Sequence, residues 1–284
     1  MLMSMRCIPC FIKQAFMEIE CSSMDDADRE KAIRDVLQVL SEHNYNVKPV
    51  DIASEIHKIV KSHGGGNDPY KELKMNSTDN VLKKIDGIKD RVRSSPDPLR
   101  QAVIVSIAGN VIDYGAKNFF DLDTILDKAE IKGLRIDDYD AFKENISSTE
   151  MCVYLLDNSG EIVMDSILMT EMIIQNPDLR IQAVVKKSPI LNDVTYEDAV
   201  YAGIDGIPGV DINQLPNDGW VESQLIESLD KNVMVISKGQ GNFESLSDVN
   251  NVFFLFVVKC ENVADFMGVE VEDMILKHNT SLSQ

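Results

Sequence analysis

Cys152-Val-Tyr-Leu-Leu-Asp157-Asn158-Ser-Gly160-Glu161-Ile-Val-Met-Asp165 is the stretch on which the reading of the fold turns. Met151 to Leu156 is a short apolar run with β-branched and aromatic members, the pattern of a buried strand. Asp157, Asn158, Ser159 and Gly160 break it, and Ile162, Val163, Ile167, Leu168 and Met172 then recur at helical spacing. The predicted unit is strand, acidic turn, helix. In a parallel sheet such a turn lies at the carboxyl end of the strand, where open α/β sheets bind ligands. Asp157 and Asn158 are hard oxygen donors of the kind a divalent cation takes. The same pair would serve equally as a helix cap and turn with no chemistry.

Downstream the alternation continues. Candidate strands are Cys152 to Leu156, Ile181 to Val185, Val233 to Ile236 and Phe253 to Val258, with helices over Ile162 to Gln175, Tyr196 to Ala202 and Ser223 to Leu229. This is the signature of a parallel sheet with helices on its faces, an α/β fold. Upstream the chain reads helical: Cys7 to Cys21, Asp25 to His43, Ile52 to Ser62, a charged helix over Tyr70 to Arg93, and the almost wholly apolar Leu99 to Tyr114. Gly64-Gly65-Gly66-Asn67-Asp68-Pro69 is the strongest breaker; lacking a following Lys-Ser/Thr, it reads as a linker and not a phosphate loop. The expected organisation is a helical domain over residues 1–115 and a mostly parallel α/β domain over 116–284.

With 284 residues the chain can bury a sizeable core. Its formal net charge of −19 argues against nucleic acid and anionic membrane surfaces as partners. No apolar run reaches membrane-spanning length, and Arg6 and Lys13 interrupt the apolar start, so no signal peptide is expected. Five cysteines, one inside a predicted buried strand, suit reduced thiols and a cytoplasmic location. Cys7 and Cys10 lack the second pair a zinc site needs, and read as core or helix-terminal thiols. The four histidines have no ligand spacing and read as mostly surface.

All the turns that follow predicted strands fall at one sheet edge. There Asp157, Asn158 and Asp193 could hold a cation, while Lys186, Lys187, Lys238 and Lys259 could meet phosphate oxygens. Gly239 and Gly241 would let backbone amides approach an anion. Asn110 and Asp113, set in an apolar helix, need polar partners that such a site would supply. A cation, lysines and exposed amides together suit phosphoryl chemistry. Singly, each has a plainer reading: solvated lysines, an Asn192–Asp193 cap for the next helix, an ordinary glycine loop.

Taken in order, several segments resemble the damage-control phosphatase family, the domain-of-unknown-function 89 group. They are Leu-Leu-Asp157-Asn158-Ser-Gly160-Glu161 with Asp165; Lys-Lys-Ser-Pro189-Ile-Leu-Asn192-Asp193-Val-Thr with Asp198; and Lys238-Gly239-Gln-Gly-Asn242-Phe-Glu244. Ala-Gly109-Asn110-Val-Ile-Asp113-Tyr-Gly115, Cys7-Ile-Pro-Cys10-Phe-Ile-Lys-Gln14 and Val-Lys259-Cys260 are similar to its short stand-alone prokaryotic branch. Gly241 fills a variable place in the third motif and departs from the common pattern. The resemblance implies a helical N-terminal domain on a three-layer α/β/α domain. It implies a phosphatase of phosphorylated metabolites, often damaged or side-product forms such as sugar phosphates. The divalent cation would be manganese, nickel or cobalt by preference, with magnesium a further candidate. Its Asp-Asn-Asp metal ligands map onto Asp157, Asn158 and Asp193.

On this reading Asp157, Asp193 and Lys259 are the expected catalytic residues. Asn110, Glu161, Lys186, Lys187, Gly239 and Asn242 are expected around the substrate, with Glu161 behind the ligands. No Asp-x-Asp follows the first strand as a haloacid-dehalogenase-type phosphatase requires, and no glycine-rich turn suits the nucleoside cofactor of a carboxyl methyltransferase. A non-catalytic metal- or metabolite-binding module stays open beside the phosphatase, and phosphate release from an aryl ester separates the two.

Overall fold

The computed structural model describes residues 1–64, 68–110 and 122–280. Asp113, Gly115 and the expected boundary at 115/116 lie outside these residues. Among the described residues, seven helices precede the first strand: α1 (Cys7–Cys21), α2 (Asp26–Glu42), α3 (Pro49–His63), α4 (Lys71–Leu82), α5 (Ile85–Arg93), α6 (Pro98–Gly109) and α7 (Leu122–Lys132). Then come β1 (Leu134–Asp137), α8 (Tyr139–Ser148), β2 (Met151–Leu155), α9 (Glu161–Gln175), β3 (Arg180–Val185), α10 (Tyr196–Tyr201) and β4 (Val210–Gln214). The chain continues through α11 (Ser223–Glu227), β5 (Met234–Lys238), α12 (Gln240–Leu246), β6 (Val252–Val257), α13 (Glu261–Met267) and β7 (Met274–Asn279).

Local chemistry sets many of these limits. Asp25 and Asp97 cap α2 and α6 by accepting from the amides of Asp28 and Arg100, and Pro49 and Pro98 occupy first-turn positions where no amide is needed. The charged stretch expected as one helix is two. It turns at Lys83 and Lys84, and Val81 of α4 and Ile88 of α5 both reach the same core.

The strands form one seven-stranded sheet in the order β1-β7-β6-β5-β2-β3-β4. β2 to β6 run parallel; β7 is antiparallel to β6, and β1 pairs parallel with β7. The sheet is therefore mostly parallel, as expected. From β2 the chain first moves through β3 to β4, then crosses to β5 on the other side of β2. The order reverses between β2 and β5, which is where a ligand crevice opens in such sheets.

Successive strand residues face opposite sides. Cys152, Tyr154 and Leu156 join the core beneath α6, α8 and α9, whereas Val153 and Leu155 pack with residues of α11, α12 and α13. The result is a three-layer α/β/α arrangement. α9 is buried along nearly its whole length because α6 lies along it opposite the sheet. Helices α4 to α6 thus share the core of the sheet, while α1 to α3 close a separate apolar cluster around Phe11, Val36 and Ile56.

Candidate active site

Gly160 starts α9 with φ +83, and no side chain caps the helix. Asp157 and Asn158 are thus not spent as caps. Both are buried at the carboxyl end of β2. Asp157 Oδ2 accepts from Asn110 Nδ2 at 2.9 Å and from Asn158 Nδ2 at 2.5 Å. The same two amides donate to Glu161 Oε2 at 2.8 and 3.1 Å. Asn110, at the end of α6, is thereby a bridge between the turn and the first residue of α9.

Asp193 arrives from the loop after β3. Its backbone forms an antiparallel bridge with Asn158, and the amides of Ser159 and Val194 donate to the carbonyls of Asn192 and Asp157 at 3.0 and 2.8 Å. Directly opposed residues in such a bridge hold their Cβ atoms roughly 5 Å apart, so residues 35 positions apart in sequence become neighbours. The helix after this loop is capped by Thr195 with Asp198, not by Asn192 or Asp193, which leaves the Asp193 carboxylate for the site.

The carboxylates lie in a poorly solvated place. Burial, then the charges of Asp193 and Glu161, push the Asp157 carboxyl up to about 8; Lys259 and Lys186 oppose this. Burial raises Asp193 as well, against the pull of Lys186, Lys74 and Lys259. Asp193 Oδ2 is buried without a hydrogen bond, its nearest cation being Lys186 Nζ at 3.5 Å. Two mutually repelling buried carboxylates, one with an oxygen held only by a 3.5 Å ion pair, and a neighbouring carboxamide fit a hard divalent cation, which would neutralise the charge. Among the described residues no three His, Cys, Asp or Glu side chains form a metal-holding group; a cation here would have to take two carboxylates and an amide oxygen.

The lysines separate into different roles. Lys238 does not face ligand. Fully buried, it donates to Glu161 Oε1 at 2.7 Å, Asp165 Oδ1 at 2.5 Å and the Ser106 carbonyl at 3.1 Å. Burial opposes its charge, but Asp165 and Glu161 outweigh that and raise its pKa. Asp165 also accepts from Ser106 Oγ and Tyr154 OH, so this buried network fixes Glu161 from below. Lys186 is buried under the Trp220 ring, 3.9 Å from its centroid, and its ammonium also meets Asn242 Oδ1 at 3.4 Å. Lys187 points away, to the Pro216 carbonyl at 3.2 Å, and is exposed. Lys259 is exposed too, yet its charge reaches both Asp157 and Asp193.

Other expected residues serve as scaffold. Gly239 donates its amide to Leu255, so that amide is not aimed at an anion; the glycine instead leaves room for the Asp157 carboxylate. Asn242 spends its amide on the carbonyls of Leu156 and Lys238, tying β2 to β5. Gly241 makes room for Trp220. The expectation of surface histidines fails at His57, which is buried between Glu18 and the Pro189 carbonyl because α3 packs against the loop that carries Asp193. Asp165, Tyr154, Ser106, Trp220, Lys74 and His57 were not assigned to the site from sequence. Asp165 alone carried a signal, as part of the quoted motif.

A family model, described as the damage-control phosphatase ARMT1-like domain, matches residues 3–275. The chain belongs to the damage-control phosphatase family. A family relative from Archaeoglobus fulgidus, a protein named damage-control phosphatase, is 33% identical over 95% of this chain and 97% of its own. A second so named, from Pyrococcus horikoshii, is 31% identical over 96% of each chain. A crystal structure of a DUF89 family protein from Pyrococcus horikoshii superposes with a TM-score of 0.85 at 29% identity, covering 99% of this chain and 100% of that one. This member of the damage-control phosphatase family brings the turns after β2 and β3 together at one edge of its sheet.

Proposed function

We propose that this family member is a metal-dependent phosphomonoester hydrolase acting on small phosphorylated metabolites. One observation carries the reading. Asp157, Asn158 and Asp193, from two strand-end loops, meet at the switch point of the sheet as a buried, electrically unbalanced donor set. The relatives named damage-control phosphatase support the same reaction class. A cation at these residues, with manganese, nickel, cobalt or magnesium as the candidates, would polarise a phosphoryl oxygen and lower the pKa of a water.

The chain's own residues divide the remaining work. Lys259, with Lys186 behind it, supplies local positive charge for an anionic substrate in an acidic protein. Asn110 and Glu161 hold Asp157 and Asn158 in place. Asp157 or Asp193 takes the proton of the attacking water as the water oxygen bonds to phosphorus and the P–O ester bond breaks, the departing oxygen taking up a proton from solvent to leave as the alcohol. This reading takes direct attack by water, with no phosphoenzyme on the way. A cavity of about 720 Å³ opens beside Asn110 and Lys259, lined by Ile125, Ala129, Val257 and Met274 among others, which is room for a small metabolite.

No helix of the described residues is long and apolar enough to cross a membrane. The five cysteines are all free, which fits the reducing cytoplasm proposed for the protein. The test is phosphate release from an aryl phosphate by metal-free protein, before and after addition of manganese, nickel, cobalt or magnesium. Release that depends on the cation and disappears in Asp157→Ala supports the reading; equal release without metal overturns it.

A further inference from the structure

The loop between β3 and α10 does not hold Asp193 in place by itself. Leu191 sits at φ 47, in the left-handed region that a leucine adopts only at a cost. Two side chains from the helical layer grip the loop on either side of Asp193. Before it, the Pro189 carbonyl meets His57 Nε2 at 2.8 Å. A carbonyl only accepts, so this contact requires the proton on Nε2. The other ring nitrogen lies 2.6 Å from Glu18 Oε1, off the axis of a straight hydrogen bond. His57 and Glu18 are both buried. After Asp193, the buried Lys74 ammonium reaches Asp198 Oδ2 at 2.5 Å and Asp68 Oδ2 at 2.7 Å. Asp198 in turn accepts from the Thr195 amide and hydroxyl at 2.9 and 2.8 Å, closing the loop's far end.

We infer that His57 and Lys74 are positioning residues that hold the Asp193 loop from both sides and so set the affinity of the Asp157–Asp193 site for its cation, an inference that rests on the metal reading above. Neither side chain belongs to the donor set. His57 acts through the Pro189 carbonyl and Lys74 through the Asp198 carboxylate. The Lys74 charge is also felt at Asp193, and since removing a nearby positive charge alone would favour a cation, weaker binding in Lys74→Met reports the loop. A merely structural role of His57 would loosen the α1–α3 layer generally, and Lys48, which precedes α3, tests that: it ties the same three helices to the sheet domain through the Ser245 carbonyl at 2.6 Å and Asp248 at 2.9 Å. For Lys74, on α4, the control is Lys74→Arg.

The experiment titrates metal-free full-length protein with Mn²⁺, followed by the paramagnetic resonance of the free ion, with circular dichroism to show that each variant is folded. Outer partners of metal ligands typically change affinity by about 10- to 100-fold. His57→Ala and Lys74→Met are each expected to weaken Mn²⁺ binding by that order, while turnover at saturating Mn²⁺ stays close to the parent. Lys74→Arg, which keeps the ion pairs, and Lys48→Ala are expected to bind as the parent does. The inference is overturned if Lys74→Met, the arm independent of the histidine, binds Mn²⁺ like the parent, or if Lys48→Ala weakens it equally. A parent protein that takes up no cation overturns the metal reading itself, and this inference with it.

Discussion

Asp157 occupies the space that any side chain at position 239 would need: a Cβ built on Gly239 collides with Asp157 Oδ2 and Cγ. The glycine also stands at φ 79, where an L-residue is strained. Gly239→Ala should therefore push the carboxylate out of the site. The strain alone costs about 1 kcal/mol or more, whereas the displaced ligand should remove most phosphatase activity. Steady-state rates beside a thermal melt separate the two: a variant with parent-like rates would show that Asp157 tolerates displacement.

The pH dependence of the metal-free protein has a definite sign. The Asp157 carboxyl is raised from 3.8 to about 8, chiefly by burial and then by Asp193 and Glu161. A group raised on folding contributes its stability fully below its unfolded pKa and loses it as pH rises through the folded one. Metal-free protein should lose stability as pH climbs from 3.8 towards about 8, and Mn²⁺ should restore it. Cation at about 100 times its Kd adds roughly 2.7 kcal/mol, or about 5–10 °C in a chain of this size. Differential scanning calorimetry across that range, with and without Mn²⁺, checks it; a flat metal-free profile would be evidence against a carboxyl raised by burial at this position.

Lys238→Met should destabilise the protein without touching substrate. It leaves Glu161 and Asp165 buried beside one another with no cation between them. Breaking a buried pair in this way costs about 3–5 kcal/mol. Chemical denaturation of the metal-free protein gives the number, and a loss under about 1 kcal/mol would mean that water reaches these groups.

Lys259 and Lys187 should behave oppositely. Losing one charge-assisted phosphate contact costs about 1.5–3 kcal/mol, so Lys259→Ala should lower kcat/KM roughly ten- to hundredfold with Mn²⁺ binding retained. Lys187 is tied to the Pro216 carbonyl and faces solvent, so Lys187→Ala should leave kcat/KM close to the parent. Reversed effects would exchange their roles.

The parts of this architecture that show in the sequence are those with local causes. β2, β5 and β6 are nearly continuous apolar runs because both their faces are covered, while β3 shows through Ile181, Ala183 and Val185 on its one fully buried face. The edge strands β1 and β4 alternate exposed and covered residues and escaped notice, as did β7, whose far end is half-buried. The turn at Asp157 and Asn158 was legible as two oxygen donors directly after a buried strand, but only the structure, in which Gly160 starts α9 with no side-chain cap, separates a site from a helix cap. The split of Lys71–Arg93 into α4 and α5 was not, since helix propensity continues through Lys83 and Lys84 and only the core beneath requires the turn.

By itself the sequence determined the α/β alternation, the strand-end turns and the donor types available at them, all consequences of side-chain pattern over a few residues. Only the tertiary structure decided which donors meet and which way each lysine faces. Four lysines follow strands, and no local property distinguishes Lys238, neutralised in the core by Glu161 and Asp165, from Lys187 in solvent. The same holds for His57 and Lys74, whose partners on the Asp193 side, Pro189 and Asp198, lie 132 and 124 residues away. The energy of a buried charge is set by what surrounds it in space, and those neighbours are chosen by packing of the whole chain.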